Sequence, residues 1–160
     1  MKRGLLLLTM LAALCGTAWA HQFKIGDLVI GHPWTRATPG GASVGAGYLK
    51  ITNNGKEADR LTGGTLDGAD TVEIHEMKME GDTMIMRQAE QGVEIKPGET
   101  IEFKPGSYHL MFIGLKKPIA QGPNIKGTLN FEKAGSVAVE YKVEGLGAQE
   151  PTDNKHDHMQ

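Results

Sequence analysis

Cysteine is all but missing from this 160-residue chain: the one thiol is Cys15, inside an apolar run near the start. The rest of the sequence therefore cannot build a disulfide scaffold, a zinc–thiolate centre, an iron–sulfur cluster, a blue-copper centre or a cysteine nucleophile. Long apolar stretches are scarce too. Residues 5–14 form one such run, but ten residues fall short of the ~20 that a membrane helix needs, and no later stretch is longer, so no membrane span is expected. Basic residues are not in excess, with 17 Lys and Arg facing 19 Asp and Glu, which argues against a nucleic-acid partner. Enzyme signatures are absent as well. There is no G-x-S-x-G nucleophile elbow, Walker-type loop or dinucleotide glycine motif, and Gly40-Gly41 after Pro39 reads as a plain loop. A non-enzymatic protein is expected.

What is present begins with an export signal. Lys2 and Arg3 make a positive start, residues 5–14 an apolar middle, and Ala18-Trp19-Ala20 a small-residue site that signal peptidase accepts. The expected signal peptide is residues 1–20, leaving a soluble, periplasmic chain of 140 residues that starts at His21. Bulky Leu14 directly before Cys15 argues against a lipid anchor on that cysteine. Without Lys2 and Arg3 the chain carries 15 basic and 19 acidic residues, a net charge of −4 with histidine neutral. A domain of this size buries roughly two-thirds of its unfolded surface and can hold together through its core alone. One monomeric domain is expected over residues 21–146. Residues 147–160 are polar, lack apolar periodicity and read as a disordered tail.

Glycine is abundant, at 22 residues about twice the usual 7%. It punctuates short β-branched runs, the mark of an all-β chain. The patterning predicts strands at residues 24–30, 47–52, 71–79, 83–88, 100–104, 108–114, 126–131 and 136–143. Glu80-Gly81-Asp82 reads as a hairpin turn. Lys96-Pro97-Gly98-Glu99 and Lys104-Pro105-Gly106-Ser107 both set Pro, with its fixed φ, before Gly, which accepts φ > 0, and so predict type II turns. Short strands without a long helical period suggest a Greek-key β-barrel or sandwich.

Histidine and methionine are unevenly placed. Beyond residue 20 the methionines are 77, 79, 84, 86, 111 and 159, and the first five lie in one region with His75 and His109. Side chains alternate faces along a strand. His75, Met77 and Met79 therefore share a face opposite Val72 and Ile74, Met84 and Met86 share another, and His109 and Met111 oppose Leu110 and Phe112. The apolar set can serve the core while the His and Met set converges elsewhere. Thioether is a soft, neutral donor. Calcium, magnesium and manganese prefer oxygen, zinc takes Cys, His or carboxylate, and Cu(I) accepts neutral His and Met together. Methionines more commonly fill core gaps. Against that stands the clustering: two H-x-M pairs bracket a methionine-rich hairpin in a chain that is exported. The residues alone do not choose among Met77, Met79, Met84 and Met86.

HEMKMEGDTMIM followed by KPGSYHLMFIGLKKP resembles the periplasmic PCuAC copper chaperones. Where that family carries His, ten residues, Met, about twenty-one residues and His-x-Met, this chain has His75, ten residues, Met86, twenty-two residues and His109-Leu110-Met111. The additional residue falls around Ala89-Glu90-Gln91-Gly92, where a turn can absorb it, and Met84 stays open as a substitute for Met86. Pro33-Trp34-Thr35-Arg36-Ala37-Thr38-Pro39, Gly47-Tyr48-Leu49 with Thr52-Asn53-Asn54, and residues 127–140 extend the match over nearly all of residues 24–143. The resemblance implies a cupredoxin-like β-barrel that binds one Cu(I) at an exposed end through His75, Met86, His109 and Met111. It also implies delivery to the CuA centre of cytochrome c oxidase subunit II, alongside Sco-type thiol proteins. Trp34 and Arg36 are expected to be structural, a core aromatic and a cation at the barrel surface or end.

Both termini offer auxiliary nitrogen donors for Cu(II). An N-terminal His21 would present an amine beside its own imidazole, and the tail carries His156, His158 and Met159. Two rival functions remain: periplasmic copper resistance or buffering without a dedicated acceptor, and a copper oxygenase built on His21.

Overall fold

The computed structural model describes residues 22–152. The expected signal peptide, Cys15, His21 and the His156, His158 and Met159 group lie outside the described residues. Eleven strands run in chain order: β1 (Gln22–Ile25), β2 (Leu28–Arg36), β3 (Val44–Asn53), β4 (Asp59–Leu66), β5 (Thr71–Glu80), β6 (Thr83–Gln88), β7 (Val93–Ile95), β8 (Thr100–Phe103), β9 (Tyr108–Ile113), β10 (Ile125–Phe131) and β11 (Gly135–Glu144). No α-helix occurs among the described residues.

Local chemistry explains most of the breaks between strands. Ser107 N–H donates to the Lys104 carbonyl and Glu99 N–H to the Lys96 carbonyl, each at 3.0 Å. Gly106 and Gly98 take φ of 81° and 74°, as the expected type II turns require. The single strand expected over 24–30 is in fact a hairpin, because Gly26-Asp27 turns the chain so that Ile25 pairs with Leu28. Two strands escape the patterning. β4, with sequence DRLTGGTL, carries two adjacent glycines, and β7 is three residues long. Neighbouring strands, not propensity, hold both in place.

One layer runs β6–β5–β9/β8–β3–β2 with β1 beside β2, and the other runs β11–β10–β4–β7. A parallel pairing of β11 with β2 joins them. Leu28, Ile30, Leu49, Ile51, Ile74, Phe103, Leu110 and Phe112 point inward from the first layer. Leu61, Ile95, Leu129, Phe131, Val139 and Tyr141 meet them from the second. β3 pairs with β8 along its second half and with β9 along its first. β8 and β9 are thus one edge interrupted by the Lys104-Pro105-Gly106-Ser107 turn, after which β9 turns Leu110 and Phe112 into the core and His109 and Met111 away from it.

The chain after β11 is also held. Arg36 Nε donates to the Ala148 carbonyl (2.5 Å) and Arg36 Nη2 to Gln149 Oε1 (3.1 Å). Thr152 donates from its N–H and its hydroxyl to Glu144 Oε1, each at 3.0 Å, and Pro151 is buried. Residues 147–152, expected as the start of a disordered tail, therefore lie against the barrel. Composition could not show this, because the partners Arg36 and Glu144 come from β2 and β11. Burial raises the Glu144 pKa, but the hydrogen bonds from Thr152 and Lys142 outweigh it and hold the carboxyl below its ordinary value.

A candidate His and Met metal centre

The register of β5 against β9 sets His75 directly opposite His109. Opposed residues of an antiparallel pair project to the same face with Cβ atoms ~5 Å apart. The two rings stand 5.7 Å apart between centroids, inclined by 32°. One pleat repeat inward, Met111 is opposite Glu73. On the other side of β5, Met86 of β6 is opposite Met77 and Met84 is opposite Met79. By alternation all these residues share the outer face, while Ile74, Leu110 and Phe112 of the same strands are buried in the core.

The two imidazoles are prepared differently. His75 is 9% exposed, and its Nε2 is 2.8 Å from Glu73 Oε2. Its Nδ1 is buried with no hydrogen-bond partner. In the neutral ring this bond assigns the proton to Nε2 and leaves a free lone pair on Nδ1. A carboxylate that orients a histidine in this way is the usual backing of a metal ligand. His109 is half-buried, and burial pushes its pKa below the ordinary value. The Ser107 carbonyl, 3.4 Å from Nδ1, opposes the shift, and the neighbouring His75 adds to it. With Nδ1–H turned to Ser107, Nε2 is the free donor. Among the described residues no three His, Cys, Asp or Glu side chains group as a metal site. The nearest other side chains on this face able to donate to a soft metal are the thioethers of Met77, Met86 and Met111.

Met111 is half-buried beside His109, whereas Met86 is 46% exposed on the edge strand. Met84 lies two residues farther along β6, one pleat repeat or ~7 Å more distant from the histidine row. Met77, half-buried and two residues from His75, is nearer than either. The turn after β6 closes with Gly92 N–H donating to the Ala89 carbonyl (2.8 Å), within the four residues expected to absorb the altered spacing.

A shallow cavity of about 330 Å³ adjoins the pair, lined in part by His109, Met111, Arg36, Tyr48 and Leu146. Trp34 is buried against Tyr48, with centroids 4.5 Å apart, and the Arg36 guanidinium lies 5.6 Å above the Tyr48 ring. Trp34 thus packs as expected, and Arg36 ties the chain end beside the cavity. Sequence reasoning missed Glu73 and Leu146. Glu73 was findable, since it is two residues before His75 and so on its face. Leu146 was not, because only the return of the chain past β2 brings it there. A larger cleft of about 510 Å³ is lined in part by Asn53 and Asp59. Its two most buried polar side chains are engaged in holding backbone. Asp59 accepts from the N–H groups of Lys133 and Ala134 (2.9 Å each), and Asn53 donates to the carbonyls of Glu57 and Ile95 (2.8 and 3.0 Å).

The same all-β fold is found in PCuAC domains of known structure. The chain is 27% identical to the apo PCuAC domain from PmoF1, with a TM-score of 0.67 over 78% of this chain and 99% of that one. It is 26% identical to the copper-bound PCuAC domain from PmoF2, with a TM-score of 0.66 over 78% of this chain and 98% of that one. The solution structure of Cu(I)-DR1885 from Deinococcus radiodurans shares the fold, at 21% identity and a TM-score of 0.56 over 79% of this chain and 83% of that one. The expected cupredoxin-like, PCuAC-type fold is the fold of this chain. Residues 28–143 match the family described as "Putative lipoprotein LpqE-like". Over 118 residues the chain is 30% identical to "Putative lipoprotein Lxx21020" of Leifsonia xyli subsp. xyli, covering 73% of this chain and 70% of that protein. The chain belongs to the LpqE-like family.

Proposed function

We propose that this protein is a copper chaperone of the cell envelope that holds one Cu(I) through His75, Met86, His109 and Met111 and releases it by ligand exchange. The observation that carries the reading is the cross-strand histidine pair, in which a buried, unpartnered His75 Nδ1 is backed by Glu73 and Met111 lies one pleat away. Two imidazoles and two thioethers are neutral, so the ion keeps its single positive charge, and their softness suits Cu(I). The nearness of Met86 to the histidine row supports it over Met84. The copper-bound state of the similar PmoF2 domain supports copper as the cargo. An exposed thioether dissociates readily when an incoming thiolate attacks, which favours transfer over storage. The acceptor in this reading is the CuA centre of cytochrome c oxidase subunit II, reached alongside Sco-type thiol proteins by a monomeric, periplasmic chaperone. The lipoprotein description of the family supports an envelope location.

Anaerobic Cu(I) titration with X-ray absorption tests the site. One equivalent with both nitrogen and sulfur scattering is expected, and a sulfur-free spectrum overturns it. Transfer to an apo CuA domain, run against a chelator of matched affinity, tests delivery. Equal partition to both acceptors would make the protein a buffer.

Acid should weaken Cu(I) binding, because copper and protons compete for the same imidazole nitrogens. The folded protein already holds the His109 pKa below its ordinary value of 6.5, so the neutral, binding form persists to lower pH than in a free histidine. Affinity measured by competition should be nearly flat above pH ~6.5 and fall below it. Thioethers do not titrate, so the decline is gradual. Constant affinity down to pH ~5 would show that histidine is not a ligand.

A further inference from the structure

The hairpin that carries Met86 outruns the sheet it belongs to. β9 accompanies β5 as far as Glu76, which is opposite Tyr108, with one further bond from Met77 N–H to the Ser107 carbonyl (3.2 Å). Beyond that point β5 and β6 continue as a two-stranded arm to the Gly81-Asp82 turn. Alternation divides this arm into two unlike faces. One bears Glu76, Lys78, Glu80 and Arg87 together with Thr83 and the half-buried Ile85, and Arg87 is ion-paired with Glu80. The other bears methionine at every position: Met77 across from Met86, then Met79 across from Met84. Met79 and Met84 are 53% and 52% exposed and belong to no part of the core. Packing does not explain them, since side chains left in water contribute little burial, and the opposite face of the same arm is mostly charged.

We propose that Met79 and Met84 form a second, outer Cu(I) site, from which the ion passes over the Met77 and Met86 pair to the histidines. Cross-strand neighbours have Cβ atoms ~5 Å apart, and methionine has three rotatable bonds, so both sulfurs can close on one ion. Cu(I) accepts such soft, neutral donors. The next pair is ~7 Å along the strands, within reach of two long side chains that lean toward each other. The ion can therefore move by exchanging one Cu–S bond at a time. A bond to Met79 or Met84 breaks as one to Met77 or Met86 forms, with copper remaining Cu(I) and no proton transferred. Two thioethers bind more weakly than a set that includes imidazoles, so copper runs inward on loading and outward when an acceptor engages the arm. The inward step rests on the Cu(I) reading of the histidine centre. The outer pair does not.

Silver(I), a redox-inert stand-in for Cu(I), separates the two in the full protein with carbon-13-labelled methionine methyls observed by NMR. The first equivalent should move the Met86 and Met111 signals, and a second, weaker one should move Met79 and Met84. M79L/M84L should abolish the second event and leave the first affinity unchanged, with the fold retained because neither residue is in the core. H75A/H109A should abolish tight binding but keep the outer event. Met79 and Met84 methyls that stay unmoved in excess silver, or a second equivalent that moves only Met159, overturn the outer site. A first equivalent that leaves Met111 unmoved instead overturns the reading of the histidine centre.

Discussion

Replacing both His75 and His109 with alanine should lower Cu(I) affinity by at least about a hundredfold, since even the partners that orient a metal ligand are worth 10–100-fold. The fold should survive. Both side chains lie on the outer face of β5 and β9, and the core contacts of these strands are made by Ile74, Leu110 and Phe112. Removing His75 also removes a buried nitrogen that no protein group satisfies. Chelator competition reads the affinity, and metal-free thermal unfolding reads the fold. Wild-type affinity in the double variant would end the assignment. Two finer variants grade it. Glu73→Gln should cost about tenfold, because the amide still accepts from His75 Nε2 but no longer places a negative charge behind a ring that binds a cation. Met86→Leu should weaken binding and Met84→Leu should not; the reverse result would move the fourth ligand two residues along β6.

Gly64→Ala should do the opposite, costing stability and sparing the site. Gly64 sits on β4 opposite Leu129 of β10, next to the place where the pairing shifts register between Asn130 and Phe131. A Cβ at Gly64 would overlap the backbone carbonyl oxygen of Thr128. A flexible side chain could swing aside, but a carbonyl in a β-ladder cannot move without breaking its neighbours' hydrogen bonds. Overpacking of this kind costs about 3 kcal/mol. In a domain of this size that is a fall in melting temperature of about 10 °C. β4 and β10 belong to the layer opposite the histidines, so the Cu(I) affinity of the folded variant should equal that of the wild type. An unchanged melting temperature would show that the β4–β10 ladder can open without loss.

Much of this protein is legible residue by residue, because the determinants are local. Pro97-Gly98 and Pro105-Gly106 encode their turns in two torsion preferences, and the hairpin at Gly81 needs only one residue that tolerates positive φ. Alternation along β5 and β9 separates Ile74, Leu110 and Phe112 from His75, His109 and Met111 before any partner strand is known. The absence of thiols beyond residue 20, with methionines crowded around two histidines, is what directs attention to soft-metal chemistry. Three matters depended on the tertiary structure. β4 and β7 have little strand character of their own and exist through their neighbours. Residues 147–152 are ordered by Arg36 and Glu144, whose distance in sequence hides the contact. His75 and His109, thirty-four positions apart, face one another only because β9 pairs with β5 in one particular register. A slip of one residue would turn either side chain into the core. Spacing along a chain cannot specify that pairing, since it is set by which apolar faces of distant strands must be buried together.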